Sequence, residues 1–173
     1  VMIDYFNPAL GSQHSGLFDL DKEFITEFAP ARTFCFLKEV EMLYQQGLIR
    51  GGSLNSALVI VDKEVEDGEL QNLAKMLNLA EVPYVGVNGY LNDSPLRFKN
   101  EPARHKVLDM IGDLTLVGVP IKGQILAARP GHASNYEFSK MLRKAYLEKK
   151  KLDKIKPQRK TASTIAIEEI LNI

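Results

Sequence analysis

The sequence has few of the features that mark secreted, membrane-spanning or disulfide-rich proteins. Its 173 residues include one cysteine, Cys35, so no internal disulfide can form and a reducing cytoplasm is the expected location. The longest apolar runs, such as 114–120, fall far short of the roughly 20 residues that a transmembrane segment needs. The chain begins at Val1 without a basic and apolar export signal. We therefore expect a soluble globular protein with one core, or two small subdomains that share one.

The chain also lacks net charge, but its charges are unevenly distributed. Residues 140–160 carry 10 basic and 2 acidic side chains, which could bind phosphates, RNA or an anionic membrane surface. Such a run is more often a solvated helix face followed by a linker. No aromatic platform is interleaved with these charges as single-strand binding would require, so no nucleic-acid partner is predicted.

The hydrophobic pattern predicts an alternation of short strands and helices without an internal repeat. Asp21 is expected to cap the first helix and Gly47 to end the second. A linker is expected at 154–164, and an amphipathic helix that stops without a cap at 165–173 suggests a further domain. The predicted strands are 1–6, 16–20, 57–61, 84–87 and 121–128, and the predicted helices are 22–29, 36–46, 69–79, 101–117 and 135–151.

One helical stripe combines metal-ligand residue types with a further carboxylate. At 100° per residue, His105, Asp109 and Asp113 fall within about 80° of one another. An imidazole and a carboxylate at i and i+4 are roughly 6 Å apart, close enough to share one ion at about 2 Å. A solvated face with Arg104 and Lys106 as ion-pair partners explains the spacing equally well. Catalytic zinc usually has three protein ligands, so a third would have to come from elsewhere.

Two further residues have alternative interpretations. His132 follows the turn 129–131, where it could meet Asp113 and act as a general acid, although a histidine in such a loop is more often unremarkable. Thr33 could donate to a developing oxyanion or, as its position favours, cap the helix that begins near Phe36. His14 has no comparable setting and is expected on the surface.

Four motifs, in this order, resemble one family. They are Ala31-Arg32-Thr33-Phe34, Gly47-Leu48 with Gly51-Gly52-Ser53-Leu54, His105-Lys106 with Asp109 and Gly112-Asp113-Leu114, and Gly131-His132-Ala133. Together they resemble the zinc-dependent UDP-3-O-acyl-N-acetylglucosamine deacetylases (LpxC) of bacterial lipid A synthesis. The resemblance runs from about Ile3 to Leu147 and covers the second of that family's two α+β domains.

The resemblance implies a fold and a set of roles. The fold would be α+β, a two-layer sandwich with helices packed on one sheet face and a strand-helix-strand insert. His105 and Asp109 would bind Zn²⁺, His132 would be the general acid oriented by Asp113, and Thr33 would bind the oxyanion. The substrate, a UDP-linked acylated glucosamine, would contact the following residues: Lys106; Asp4 and Tyr5 near the uridine; and Phe34, Leu48, Ser53 and Ala57 along an apolar passage for the acyl chain.

The departures from the family define what the chain lacks. In the family, the third zinc ligand is a His preceded by a Glu that acts as general base, both in the first domain, and this sequence contains no Glu-His pair. The N-terminal deacetylase domain would therefore be a partner outside this chain, and the isolated chain should be inactive. Residues 1–153 would form the second domain, with the insert at about 34–61 and a connection at about 62–100. Residues 154–173 would be a linker and the start of a 3-hydroxyacyl carrier-protein dehydratase domain. The alternative is a noncatalytic structural or interaction module.

Overall fold

The computed structural model describes residues 1–49 and 56–155, which form two compact units. The first comprises 1–110 and 124–131, and the second comprises 111–123 and the described residues from 132 onward. Short strands and five α-helices within these described ranges confirm the predicted α+β class. The expected linker at 154–164 and helix at 165–173 lie almost entirely outside the described residues, and the proposed domain bounds stay predictions.

The described residues of the first unit form two small sheets. Strands β1 (Met2–Ile3) and β2 (Gln13–His14) pair antiparallel, whereas β3 (Thr33–Phe36) and β4 (Ala57–Ile60) pair parallel. A parallel pair needs a crossover connection, and helix α2 (Leu37–Gln45) lies within it. This arrangement confirms the predicted strand-helix-strand insert. The remaining helices of this unit are α1 (Leu20–Glu23), which continues as a π-helical turn at Phe24–Phe28, α3 (Glu69–Met76) and most of α4 (Glu101–Leu114).

Both faces of the parallel pair are covered by apolar side chains. Leu58 and Ile60 belong to one buried cluster with Ile3, Phe36 and Ala103 among others. The alternate residue of β4, Val59, belongs to a second cluster. Successive side chains of a strand point to opposite faces, so the continuous apolar run at 57–60 is that of a strand buried on both sides.

Two predicted strands are wrong because no long partner strand is available to them. In place of the strand predicted at 16–20, residues 16–19 lie in irregular structure, α1 begins at Leu20, and β2 occupies 13–14. Residues 121–128 are likewise irregular except that Ala128 bridges Met2, with Met2 N–H donating to Ala127 O at 2.9 Å. Because β1 has two residues, this edge offers little backbone for a longer pairing. The strand expected at 84–87 is reduced to one bridge between Val85 and Leu91.

Two predicted helix caps are also wrong. The N-cap of α1 is Asp19 rather than Asp21, because the Asp19 carboxylate accepts the Lys22 N–H at 3.3 Å. Thr33 does not cap α2, since it lies in β3 and the N-cap residue is Phe36.

The second unit consists of the end of α4, a 3₁₀ turn at Thr115–Val117 and the long helix α5 (His132–Ile155). α5 begins at His132, three residues earlier than predicted. Buried Ser139 donates to the backbone oxygen of Asp113 at 3.1 Å, which joins α5 to the end of α4. None of the described helices is long and apolar enough to cross a membrane.

Candidate active site

The histidine and aspartate predicted to bind a metal lie one turn apart on α4, in the first unit. His105 Nε2 is 3.2 Å from Asp109 Oδ1, and these side chains are 16% and 9% exposed. His105 Nδ1 is 2.9 Å from the backbone oxygen of Ala31. A carbonyl oxygen can only accept, so Nδ1 carries a proton in this contact. In the neutral ring Nε2 is then an acceptor facing a carboxylate, and a cation between the two would stabilise the pair.

Lys106 completes the electrostatic environment of Asp109. Its ammonium donates to Asp109 Oδ2 at 3.0 Å and lies 5.4 Å from the centre of the Phe34 ring. Burial alone would raise the pKa of Asp109, but the hydrogen bond and charge of His105, together with Lys106, lower that pKa to about 2. Asp109 is therefore ionised at neutral pH, as a metal ligand must be.

The donor set of this pair fits zinc, which binds imidazole nitrogen and carboxylate oxygen. The backbone oxygen of Ala31 is the kind of outer partner that orients ligating histidines. Within residues 1–49 and 56–155, no group of three or more His, Cys, Asp or Glu residues is placed to hold a metal. The described part of the chain thus offers two candidate ligands, His105 and Asp109.

One buried carboxylate next to this pair was not singled out from the sequence. Glu101, the first residue of α4, is fully buried and accepts the backbone N–H of Arg32 at 3.0 Å. Its carboxylate also binds the Arg32 guanidinium, through Nε at 2.8 Å and Nη2 at 3.0 Å. The signal available in the sequence was a glutamate at a helix start, but nothing in its spacing pointed to an arginine 69 residues away.

Thr33 and Phe34 follow Arg32 on β3. Thr33 is exposed and opposes Ala57 of β4, whereas Phe34 is half-buried and opposes Leu58. Phe34 also packs against Tyr5 and Phe36, with ring centroids 6.1 and 6.3 Å away. Two predicted substrate residues, Tyr5 and Phe34, therefore belong to one aromatic cluster.

The other predicted substrate residues are more dispersed. Asp4 receives hydrogen bonds from the Ser12 hydroxyl at 2.5 Å and the Phe6 N–H at 2.8 Å, and the Ser12 bond in particular holds the pKa of Asp4 below its usual range. Leu48, beyond the end of α2, is 66% exposed. Ser53 lies outside the described residues.

The predicted general acid and its orienting carboxylate meet in the second unit. His132 Nδ1 is 2.9 Å from Asp113 Oδ2, and the histidine side chain is 73% exposed. Buried Asn135 donates to the same oxygen at 2.8 Å. Two donors on one oxygen hold the carboxylate in place, and an acceptor at Nδ1 favours the tautomer that carries its proton on that nitrogen.

The motifs and this geometry agree with the comparison against known families. The family model described as "UDP-3-O-acyl N-acetylglycosamine deacetylase" matches residues 1–72 and 60–144. The chain belongs to this family, LpxC, as the motifs predicted.

Named relatives extend this result. The chain is 56% identical over 176 residues to the "Bifunctional enzyme LpxC/FabZ" of Chlorobaculum tepidum, covering 99% of this chain and 38% of that protein. It is 42% identical to the protein of the same name from Bacteroides thetaiotaomicron, covering 83% of this chain and 31% of that protein. A "UDP-3-O-acyl-N-acetylglucosamine deacetylase" of Leptospira biflexa is 38% identical to this chain, covering 81% of this chain and 38% of that protein. The chain thus spans about a third of the length of these relatives.

Proposed function

We propose that this chain supplies part of the active site of a zinc-dependent deacetylase. The enzyme would remove the N-acetyl group from UDP-3-O-acyl-N-acetylglucosamine during lipid A synthesis. Family membership supports the reaction, and the observation that carries the site is the His105–Asp109 pair with its ring held by Ala31. When bound, zinc would polarise the acetamide carbonyl and lower the pKa of its water.

In this proposal the residues of the first unit bind the metal and orient the substrate. His105 and Asp109 hold the metal, and Lys106, placed between Asp109 and Phe34, contacts the substrate. The exposed hydroxyl of Thr33 lies on β3 two residues beyond Ala31, whose carbonyl binds His105. From there it donates to the oxygen that gains charge as the amide is attacked.

The pair in the second unit moves a proton. Asp113 accepts from His132 Nδ1, which fixes the orientation of the ring and leaves Nε2–H to donate its proton to the departing amine. Transfer of the Nε2 proton to the amine nitrogen lets the amine leave as a neutral group when the C–N bond breaks. His132 is thus the general acid and Asp113 its orienting partner.

Substrate contacts outside the reacting centre follow the family resemblance. We assign Asp4 and Tyr5 to the uridine end and Phe34, Leu48, Ser53 and Ala57 to the acyl passage. The parallel pair β3 and β4 with α2 provides the frame for that passage, and the Tyr5–Phe34–Phe36 cluster supplies apolar surface near its strand.

The third zinc ligand and the general base would come from another domain of the full-length protein. Relatives about three times as long as the matched region support such a domain, and some of them are named for two enzymes. The isolated chain should bind zinc weakly and hydrolyse no substrate. We place the protein in the cytoplasm, where its single thiol, Cys35, stays reduced.

Zinc content of the full-length protein tests the metal site. His105→Ala and Asp109→Ala should each lower bound zinc, measured by elemental analysis, and abolish deacetylation. His14→Ala is the matched control, because His14 is an exposed histidine of β2, and it should leave both quantities unchanged. If neither site variant changes zinc content, the chain acts as a noncatalytic module and the proposal fails. Substantial deacetylation by the isolated chain would refute the assignment of the missing ligand and base to another domain.

A further inference from the structure

One peptide group is held at both ends by the same helix. The carbonyl of the Ala31–Arg32 peptide accepts from His105 Nδ1 at 2.9 Å, and its N–H donates to Glu101 Oε1 at 3.0 Å. Glu101 and His105 are one turn apart on α4, so both contacts fall on one side of that helix. The peptide therefore transmits the position of Glu101 to the ring of His105.

The Glu101 carboxylate is well suited to hold this peptide still. Oε1 accepts from Arg32 N and Nε, and Oε2 accepts from Arg32 Nη2 and from the Arg97 N–H at 2.7 Å. Arg32 Nη2 also donates to Pro95 O at 2.7 Å. A buried carboxylate with four charge-assisted or backbone bonds has little freedom to rotate.

We propose that Glu101 is a positioning residue that selects the Nδ1–H tautomer of His105 through the Ala31–Arg32 peptide. The importance of Glu101 for zinc binding rests on the proposed function, whereas its effect on the His105 tautomer is independent of that function. The competing tautomer has a ready partner, because Asp109 Oδ1 lies 3.2 Å from Nε2 and would accept a proton carried there. A proton on Nε2 would occupy the lone pair that a metal needs. Holding the Ala31 carbonyl against Nδ1 keeps Nε2 as a ligand.

The decisive variant is Arg32→Met/Glu101→Met in the full-length protein. It removes both charges together, so neither remains buried and unpaired, and it deprives the Arg32 backbone N–H of its acceptor. Nitrogen-15 NMR of zinc-free, histidine-labelled protein reports which ring nitrogen carries the proton, and His105→Ala identifies the signal. We expect a single Nδ1–H form in the unchanged protein and a mixture in the variant. Zinc affinity should fall by up to about 10- to 100-fold, the effect of losing an outer-shell partner outright, because the variant frees the Ala31 carbonyl from its fixed position.

A matched control separates positioning from general loss of stability. Lys38 Nζ and Asp62 Oδ2 form another ion pair of the first unit, at 2.8 Å, in which the carboxylate is fully buried. Lys38→Met/Asp62→Met should leave the His105 tautomer and the zinc affinity unchanged. If the Arg32/Glu101 double variant does not fold, Glu101→Gln replaces it. The amide nitrogen that replaces one carboxylate oxygen cannot accept a hydrogen bond, so the two N–H groups that donate to this oxygen lose their acceptor. We expect a smaller shift of the His105 tautomer equilibrium in the same direction.

The readouts keep this proposal distinct from the zinc assignment. An unchanged tautomer in a folded Glu101 variant overturns the positioning role, whatever the metal content. A mixed tautomer supports that role even if His105→Ala shows that zinc binds elsewhere, in which case only the metal assignment fails. Equal tautomer shifts in the Lys38/Asp62 control would also overturn the proposal, because the effect would then not require Glu101.

Discussion

Arg32→Met should destabilise the chain more than the removal of Arg32 and Glu101 together. Arg32 is 9% exposed and Glu101 is 0% exposed, so the single variant leaves an ionised carboxylate in the interior. Two of its four hydrogen bonds, those from Nε and Nη2, are lost with the guanidinium. Breaking a buried pair by removing one partner typically costs about 3–5 kcal/mol.

The double variant Arg32→Met/Glu101→Met avoids the buried charge. Its main cost is the buried Arg32 N–H without an acceptor, about 1–3 kcal/mol. The Arg97 N–H also loses Glu101 as its acceptor, but Arg97 is exposed, so water can replace the carboxylate there. At roughly 2–4 °C per kcal/mol for a chain of this size, the single variant should melt about 6–20 °C below the unchanged chain. The double variant should melt above the single one.

Urea unfolding at neutral pH, monitored by far-ultraviolet circular dichroism, measures the free energies of unfolding of the unchanged chain, the single variant and the double variant. A thermodynamic cycle that adds Glu101→Met then isolates the coupling between the two side chains. Equal unfolding midpoints for the single and double variants would refute the reasoning, because the guanidinium would then contribute nothing to holding the carboxylate.

Two further predictions concern single carboxylates. Asp109 has a pKa lowered from 3.8 to about 2 in the metal-free chain; its ionised form therefore adds stability that is fully present above pH 3.8 and lost as pH falls toward 2. Unfolding free energies measured across that interval should decline more steeply for the unchanged chain than for Asp109→Asn, and parallel curves would contradict this. Asp19→Ala removes the acceptor of the Lys22 N–H and should lower the urea midpoint of unfolding, because an N-cap side chain that bonds the first turn stabilises the helix. Asp21→Ala, the control, should cost less, and equal losses would argue against Asp19 as the cap.

The helices and their polar stripe could be predicted from local spacing. α2, α3 and α4 lie close to where the periodicity placed them, because helical hydrogen bonds join residues four apart and the apolar residues that pack recur with the same period. For the same reason the i, i+4 spacing was sufficient to bring His105 and Asp109 within 3.2 Å. The strand at 57–60 could also be predicted, because its residues form a continuous apolar run.

Contacts between distant segments were decided by the tertiary structure. The pattern at 121–128 suits a strand, but strand formation needs a partner, and β1 offers two residues. The meeting of Asp113 with His132 could be suggested from the order of the elements, whereas Asn135 as a second donor could not.

By itself the sequence determined the helices, the candidate ligand pair and the family motifs, because these depend on neighbours within a few turns. The tertiary structure decided how the side chain of His105 is held. Glu101 is 69 residues from Arg32, and His105 is 74 residues from Ala31. Hydrogen bonds over such separations depend on where the folded backbone brings two segments, and no periodicity encodes them. The peptide between Ala31 and Arg32, with a helix residue bound at each end, became apparent only in the folded chain.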